Sequence, residues 1–116
     1  MVLSVSIYGQ TDKYGNYFNS KHAVPPIKGD GNTNDRAAIQ TALQKYKSVF
    51  FPYTENGYRI EGTLSVPAGC SLILERGAKF VGTGTIMGNG AYINAGLYQC
   101  FGSGVTITGT WVARLS

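Results

Sequence analysis

Three series of apolar residues recur along this chain at a nearly constant interval, and this recurrence limits the folds available to it. Ile60, Val81 and Phe101 form the first series. Two further series advance at almost the same step, namely Val66, Met87 and Ile107, and Phe50, Ile73 and Ile93. Series that advance together in steps of about 20 to 23 residues are expected when short strands stack in successive turns of a repeat structure. The spacing therefore predicts three short strands per turn of a parallel β-helix.

The residues around these positions have the composition of short strands joined by turns. Most of the apolar runs end at Gly, Pro or Asn, which are typical turn residues. Sixteen glycines in 116 residues are about twice the usual share of about 7%, and this length suits one domain. The predicted strands are 48–51, 58–62, 63–66, 71–74, 79–82, 84–87, 91–94, 97–101, 105–108 and 110–113.

One amphipathic helix, at about 35–46, is predicted ahead of the strands. Asn34 can accept a hydrogen bond from the first helical turn, and Asp35 places a carboxylate at the positive end of the helix dipole. The predicted apolar stripe is Ile39, Ala42, Leu43 and Tyr46, and the predicted wet face is Arg36, Gln40, Thr41, Gln44 and Lys45. Because the first turn of a solenoid needs a lid, we expect the helix to be a structural cap that lays Ile39, Leu43 and Tyr46 over it.

The N-terminal part of the chain differs from the rest in composition. Residues 1–27 are rich in Tyr, Asn and Gly and end close to Pro25 and Pro26, which interrupt regular structure. We interpret 1–27 as an aromatic-rich extended arm or linker that packs on another surface. Residues 28–116 then contain the capping helix and the first coils of the β-helix.

Charge and hydropathy narrow the range of partners. Ten Lys or Arg against six acids give a net charge of +4, but the basic residues are scattered, which disfavours nucleic-acid binding. A basic surface would instead attract an acidic polysaccharide or a phosphorylated glycan. No apolar run reaches the ~18 residues of a membrane span, so no membrane insertion is expected. Cys70 and Cys100 have no metal-site spacing and are expected to be free buried thiols.

Three ordered motifs resemble one known family. They are GDGNTNDRAAIQTA (29–42), VFFPYTENGY (49–58) and LSVPAG (64–69). Together they resemble the start of the pectate-lyase-like right-handed β-helix superfamily, in the form found in phage tailspikes and capsule or O-antigen depolymerases. The resemblance covers 28 to about 82, with Asn34 where the family has Asp and with extra residues before Gly57.

The resemblance implies an all-β fold, a right-handed parallel β-helix (solenoid) of a few short coils with one N-terminal capping α-helix. It implies no particular activity, because lyases, hydrolases, epimerases and noncatalytic proteins share this module.

No catalytic constellation is visible, so no catalytic residue is assigned. Polysaccharide hydrolysis generally uses two carboxylates roughly 5 to 9.5 Å apart, whereas the interval from Glu61 to Glu75 is shorter than the repeat step, so the two should not stack in neighbouring coils. Both, like Glu55, are expected on solvated surface. His22 has no triad partner near it, and the segment 30–35 lacks the spacing of a calcium loop. Neither a metal nor a cofactor is expected.

Aromatic residues near the C-terminal end are candidates for stacking against sugar rings. They are Tyr92, Tyr98 and Trp111, with Phe101 beside them in sequence. A place inside the solenoid is the alternative for each of them, because solenoid interiors also use aromatic side chains.

Three functions remain open. The preferred one is a noncatalytic N-terminal capping and assembly region of a phage tailspike or related surface-polysaccharide depolymerase. The resemblance then implies a homotrimer, a bacterial surface polysaccharide as partner, an upstream virion-binding module, and a place in the virion tail after synthesis in the host cytoplasm. The alternatives are a stand-alone glycan-binding β-solenoid and, least favoured, a compact polysaccharide lyase or hydrolase. Since no polar cap follows the last predicted strand, a fragment of a longer chain or an oligomer is expected.

Overall fold

Within the residues that the structure describes, the chain consists mostly of strands in parallel sheets, with one α-helix. A computed structural model describes residues 10–12, 15–94 and 101–114. The helix α1 is Arg36–Lys45, and a 3-10 turn occupies Ser20–His22. The described strands are β1 (Gln10–Asp12), β2 (Gly15–Asn19), β3 (Ser48–Phe51), β4 (Tyr58–Arg59), β5 (Thr63–Val66), β6 (Ser71–Leu74), β7 (Phe80–Val81), β8 (Thr85–Asn94) and β9 (Thr106–Arg114).

Parallel pairing dominates the described strands. Only β1 and β2 pair antiparallel; the parallel pairs are β2–β3, β3–β6, β6–β8, β5–β8, β8–β9 and, in a separate sheet, β4–β7. In the β3–β6 ladder Val49 pairs with Leu72, a step of 23 along the chain. The step is 22 between β5 and β8, where Leu64 pairs with Ile86, and 21 between β8 and β9, where Ile86 pairs with Ile107.

The predicted residue-to-residue stacking is one position off in most places. Arg59, rather than Ile60, pairs with Val81, and the stacked aromatic series is Tyr58, Phe80 and Phe101. Likewise Val66 pairs with Gly88 rather than Met87, and Ile73 pairs with Asn94 rather than Ile93. The predicted pair Phe50 with Ile73 is confirmed. Because side chains alternate across a strand, a slip of one residue exchanges the inner and outer faces.

The observed strand boundaries agree with the predicted ones where a proline or a tight turn ends the strand, and they differ from the predicted ones at glycines. The predictions 48–51, 63–66 and 71–74 are confirmed. The predictions 84–87 and 91–94 merge into β8, and 105–108 and 110–113 merge into β9. The register shifts between Asn89 and Ala91, so the intervening Gly90, at φ +79°, is accommodated as a bulge instead of ending the strand. The predicted strand 97–101 lies almost wholly outside the described residues.

The core lies between α1 and the inward faces of the strands. Ile39 and Leu43 of α1 are buried there, and Phe51 meets Tyr58 and Phe80 edge-on, with ring centroids 5.2 and 5.3 Å apart. Such edge-to-face contacts are favourable beyond the area they bury. The other buried apolar side chains include Val49, Ile60, Leu64, Val66, Leu72, Leu74, Ile86 and Ala91.

The described part of the N-terminal arm is packed on the sheet. Phe18 pairs with Val49 in the β2–β3 ladder and is 8% exposed. Its ring stacks on Tyr46 with centroids 4.0 Å apart, and Tyr17 lies 5.0 Å from Phe50. Aromatic contacts and parallel pairing thus tie residues 17–19 to the strand that follows α1.

Candidate functional site: a strand edge closed by the helix

Side chains from the start of α1 lie along the outer edge of the segment 59–66. In a parallel ladder, the N–H and C=O groups of one residue point to the same neighbouring strand, and those of the next residue point to the opposite side. Ile60 bonds to Val81 and Gly84, on the inner side of the segment. The backbone groups of Glu61, Thr63 and Ser65 therefore face the opposite side, where no described strand pairs with them.

Three polar side chains occupy the place of that missing strand. The Asn34 amide donates to the carbonyl of Glu61 at 3.3 Å and accepts from its N–H at 3.0 Å. The Gln40 amide does the same at Ser65, donating to the carbonyl at 2.7 Å and accepting from the N–H at 3.0 Å. Arg36 donates from Nη1 to the carbonyl of Thr63 at 3.2 Å. A side-chain amide presents the same donor and acceptor as a peptide group, so this row imitates a neighbouring strand.

This row corrects the predicted wet face of the helix at Arg36 and Gln40, whereas Gln44 and Lys45 are exposed as predicted. Arg36 and Gln40 are four residues apart and so lie on one face of α1, and that face is turned to the strand edge. Both side chains are half-buried. Sequence reasoning missed their role, although Gln40 belongs to the first of the three motifs that carry the family resemblance.

The five residues predicted to form a structural cap have different contacts. Ile39 and Leu43 are 0% and 3% exposed, on the core side of α1. Tyr46 follows the helix and stacks on Phe18 of β2. Asn34 also accepts from the N–H of Arg36 at 3.1 Å, so one amide oxygen serves both the first helical turn and the strand edge.

The carboxylate of Asp35 faces away from the helix. Its two oxygens accept from the backbone N–H groups of Lys28 and Gly29, at 2.8 and 2.9 Å. Burial raises the pKa of this carboxyl group above its ordinary value, against the opposing effect of these two bonds. Asp35 therefore holds the 28–29 segment against the start of α1 and makes no side-chain cap bond to the helix.

The neighbouring Asp30 closes its own turn. It accepts from the N–H groups of Asn32 and Thr33 and from the Thr33 hydroxyl, and these bonds, Thr33 first, lower its pKa. Within the described ranges, no group of three or more His, Cys, Asp or Glu side chains could hold a metal ion.

The two glutamates considered for catalysis each bond to a segment one repeat away. Glu61 accepts from the Thr83 hydroxyl, which is the largest cause of its lowered pKa. Arg59 Nε lies 2.8 Å from the other Glu61 oxygen, an ion pair without hydrogen-bond alignment. Glu75 accepts from the N–H of Tyr53 at 2.7 Å. Glu75 is exposed, as expected, and Glu61 is half-buried; beyond that expectation, each also bonds to an adjacent turn.

Of the candidate stacking aromatics, Tyr92 and Trp111 are not brought together. Tyr98 lies outside the described residues. Tyr92 pairs with Val112 in the β8–β9 ladder, whereas Trp111 pairs with Ala91; adjacent strand positions face opposite sides of a sheet. The Trp111 indole lies against Gly88, packs on the core, and donates to the carbonyl of Thr108 at 2.8 Å.

The edge at β9 contrasts with the closed edge at α1. Among the described residues, β9 pairs with β8 on one side and no strand pairs with its other side. Ile107 and Val112 on this strand are 37% and 47% exposed. A long unpaired edge with exposed apolar side chains is a surface suited to pairing with another strand.

Further observations concern the cysteines, membrane-spanning helices and similarity to known proteins. Cys70 is a free, buried thiol, and burial raises its pKa; Cys100 lies outside the described residues. No helix in the described part of the chain is long and apolar enough to cross a membrane. Comparison of the chain with protein-family models, with curated proteins and with solved structures found no match.

Proposed function

We propose that this chain is the noncatalytic N-terminal capping and assembly region of a phage tailspike or related surface-polysaccharide depolymerase. The proposed fold is a right-handed parallel β-helix of a few short coils. The observation that carries the proposal is the row of Asn34, Arg36 and Gln40, which closes one strand edge as a neighbouring strand would. The regular long steps of the parallel ladders β3–β6, β5–β8 and β8–β9 support the same architecture.

A noncatalytic role fits the contacts of the acidic side chains. Glu61 and Glu75 are committed to bonds with Thr83 and Tyr53, and Asp35 to the 28–29 amides. A general acid or base needs a proton-transfer position facing the substrate. Acidic side chains that are instead committed to such structural bonds support a noncatalytic role.

The proposed role of the β9 edge and of the arm 1–27 is assembly. The edge of β9 is the proposed site where a strand of the assembled particle pairs, and the arm 1–27 is proposed to reach an upstream virion-binding module. A homotrimer in the virion tail, made in the host cytoplasm, is the proposed setting. The net charge of +4 supports a partner such as an acidic bacterial surface polysaccharide.

The solution mass of the 116-residue chain, measured by light scattering across a concentration series, tests assembly. A stable trimer is expected. Replacing Ile107 by Lys is expected to reduce the mass if the β9 edge takes part, because a charge on an edge strand opposes pairing. The matched control is Tyr53→Lys, since Tyr53 is 56% exposed and lies outside β9. A well-behaved monomer at every concentration would contradict the assembly role and favour a stand-alone glycan-binding solenoid.

A further inference from the structure

A small cleft opens between the 3-10 turn and the end of α1. Its volume is about 190 Å³. Its lining consists of Phe18, His22, Ala23, Val24, Ala42, Lys45 and Tyr46. The small side chains of Ala23 and Ala42 leave the space that larger residues would fill.

The lining combines positive charge with apolar and aromatic surface. Lys45 and His22 are exposed, and no acidic side chain is among the lining residues. Val24, at 79% exposure, is an apolar side chain that the fold leaves in water. The stacked rings of Phe18 and Tyr46 form one wall of the cleft. A ligand that satisfies all of these features carries an anionic group, an apolar face and little bulk.

The end of α1 adds a second requirement. The last carbonyls of a helix lack intrahelical partners and carry the negative end of the dipole. A bare anion is therefore disfavoured on the helix axis, whereas hydroxyl donors are favoured there. A sugar acid supplies a carboxylate for Lys45 and His22, hydroxyl groups for the helix end, and C–H faces for Val24 and the aromatic wall.

We propose that this cleft binds one uronic-acid unit of an acidic polysaccharide. The inference deepens the proposed function, on which it rests for the class of partner, by naming the kind of unit recognised and the place on this chain that recognises it. The site lies apart from the β9 edge, so glycan binding and assembly are separate properties of the chain.

Titration of the full chain with sodium glucuronate, followed by amide NMR, tests the proposal. Saturable shifts are expected at the signals of Ala23, Ala42 and Tyr46, with binding at least about tenfold tighter than that of glucose. Lys45→Gln is expected to weaken glucuronate binding about tenfold while its ligand-free spectrum stays that of the parent. The matched control is Lys79→Gln, because Lys79 is exposed and does not line the cleft; its binding is expected to be unchanged.

Several results would overturn the proposal. They are equal binding of glucose and glucuronate, shifts confined to other residues, an equal loss in Lys79→Gln, and inorganic phosphate binding at the same signals as tightly as glucuronate. The last would reveal a general anion site without sugar recognition. Failure of the trimer in light scattering leaves this titration interpretable, because the cleft lies within one chain; conversely, a trimer without glucuronate binding refutes only the cleft.

Discussion

Replacing Gln40 by Ala tests whether the helix stabilises the fold by imitating a strand. The change removes the donor to the Ser65 carbonyl and the acceptor of the Ser65 N–H, which are 2.7 and 3.0 Å from the amide. Each such bond contributes about 1 kcal/mol net. Because Ser65 is half-buried, water compensates part of the loss. From the net value of two such bonds, we expect the free energy of unfolding to fall by roughly 1 to roughly 2 kcal/mol.

The matched control is Gln44→Ala on the same helix. Gln44 is exposed, and its replacement brings the same small gain in helix propensity without a loss at the strand edge. Its expected effect is within about 0.5 kcal/mol. The difference between the two variants therefore isolates the two bonds to Ser65.

Urea unfolding measured for both variants and the parent gives these values directly. Equal slopes of free energy against urea would show that the native and unfolded states expose comparable surface. Gln40→Glu adds a stricter comparison, since it keeps an acceptor for the Ser65 N–H but turns a carboxylate oxygen toward the Ser65 carbonyl. At pH 7 the free energy of unfolding of Gln40→Glu is expected to fall at least as far as that of Gln40→Ala. If Gln40→Ala and Gln44→Ala have the same free energy of unfolding within experimental error, the strand-imitating row does not stabilise the fold.

Two further predictions concern the Trp111 contact and the Asp35 carboxylate. In Gly88→Ala the added methyl group would lie 2.7 Å from the indole Nε1 of Trp111, so the ring must move; we expect a lower Tm and a red-shifted emission from this single tryptophan, whereas unchanged emission would refute the contact. For Asp35, a folded-state pKa above the ordinary 3.8 means that the folded protein binds a proton more readily than the unfolded chain. The stability of the parent relative to Asp35→Asn should therefore rise as the pH falls from neutral through the raised pKa, and level off below about 3.8; a relative stability that falls over this range in urea unfolding would contradict the raised pKa.

Local signals in the sequence were sufficient for the helix and several strand ends. The apolar spacing predicted a helix at about 35–46, and the structure has it at Arg36–Lys45. Pro52 and Pro67 follow the predicted ends of β3 and β5, which the structure reproduces. Proline removes a backbone donor and restricts the residue before it, so these boundaries depend on few distant contacts. The recurrence of the apolar series likewise pointed to strands that pair at long and regular intervals.

Tertiary structure alone decided the register and the role of the polar helix face. The intervals between apolar residues suggested steps of about 20 to 23, and the ladders step by 23, 22 and 21, but most of the predicted partners are one position off. A shift of one residue exchanges the two faces of a strand, so the register depends on which face the packing buries. On a helical wheel Gln40 is simply polar; whether it meets water or the backbone of Ser65 depends on how α1 lies across the strand edge. The sequence by itself thus determined the helix and the strands that end before Pro52 and Pro67, since propensity and turn chemistry are local. The packing of those segments decided which polar groups bond to one another, because hydrogen bonding depends on positions that chain segments reach only when folded.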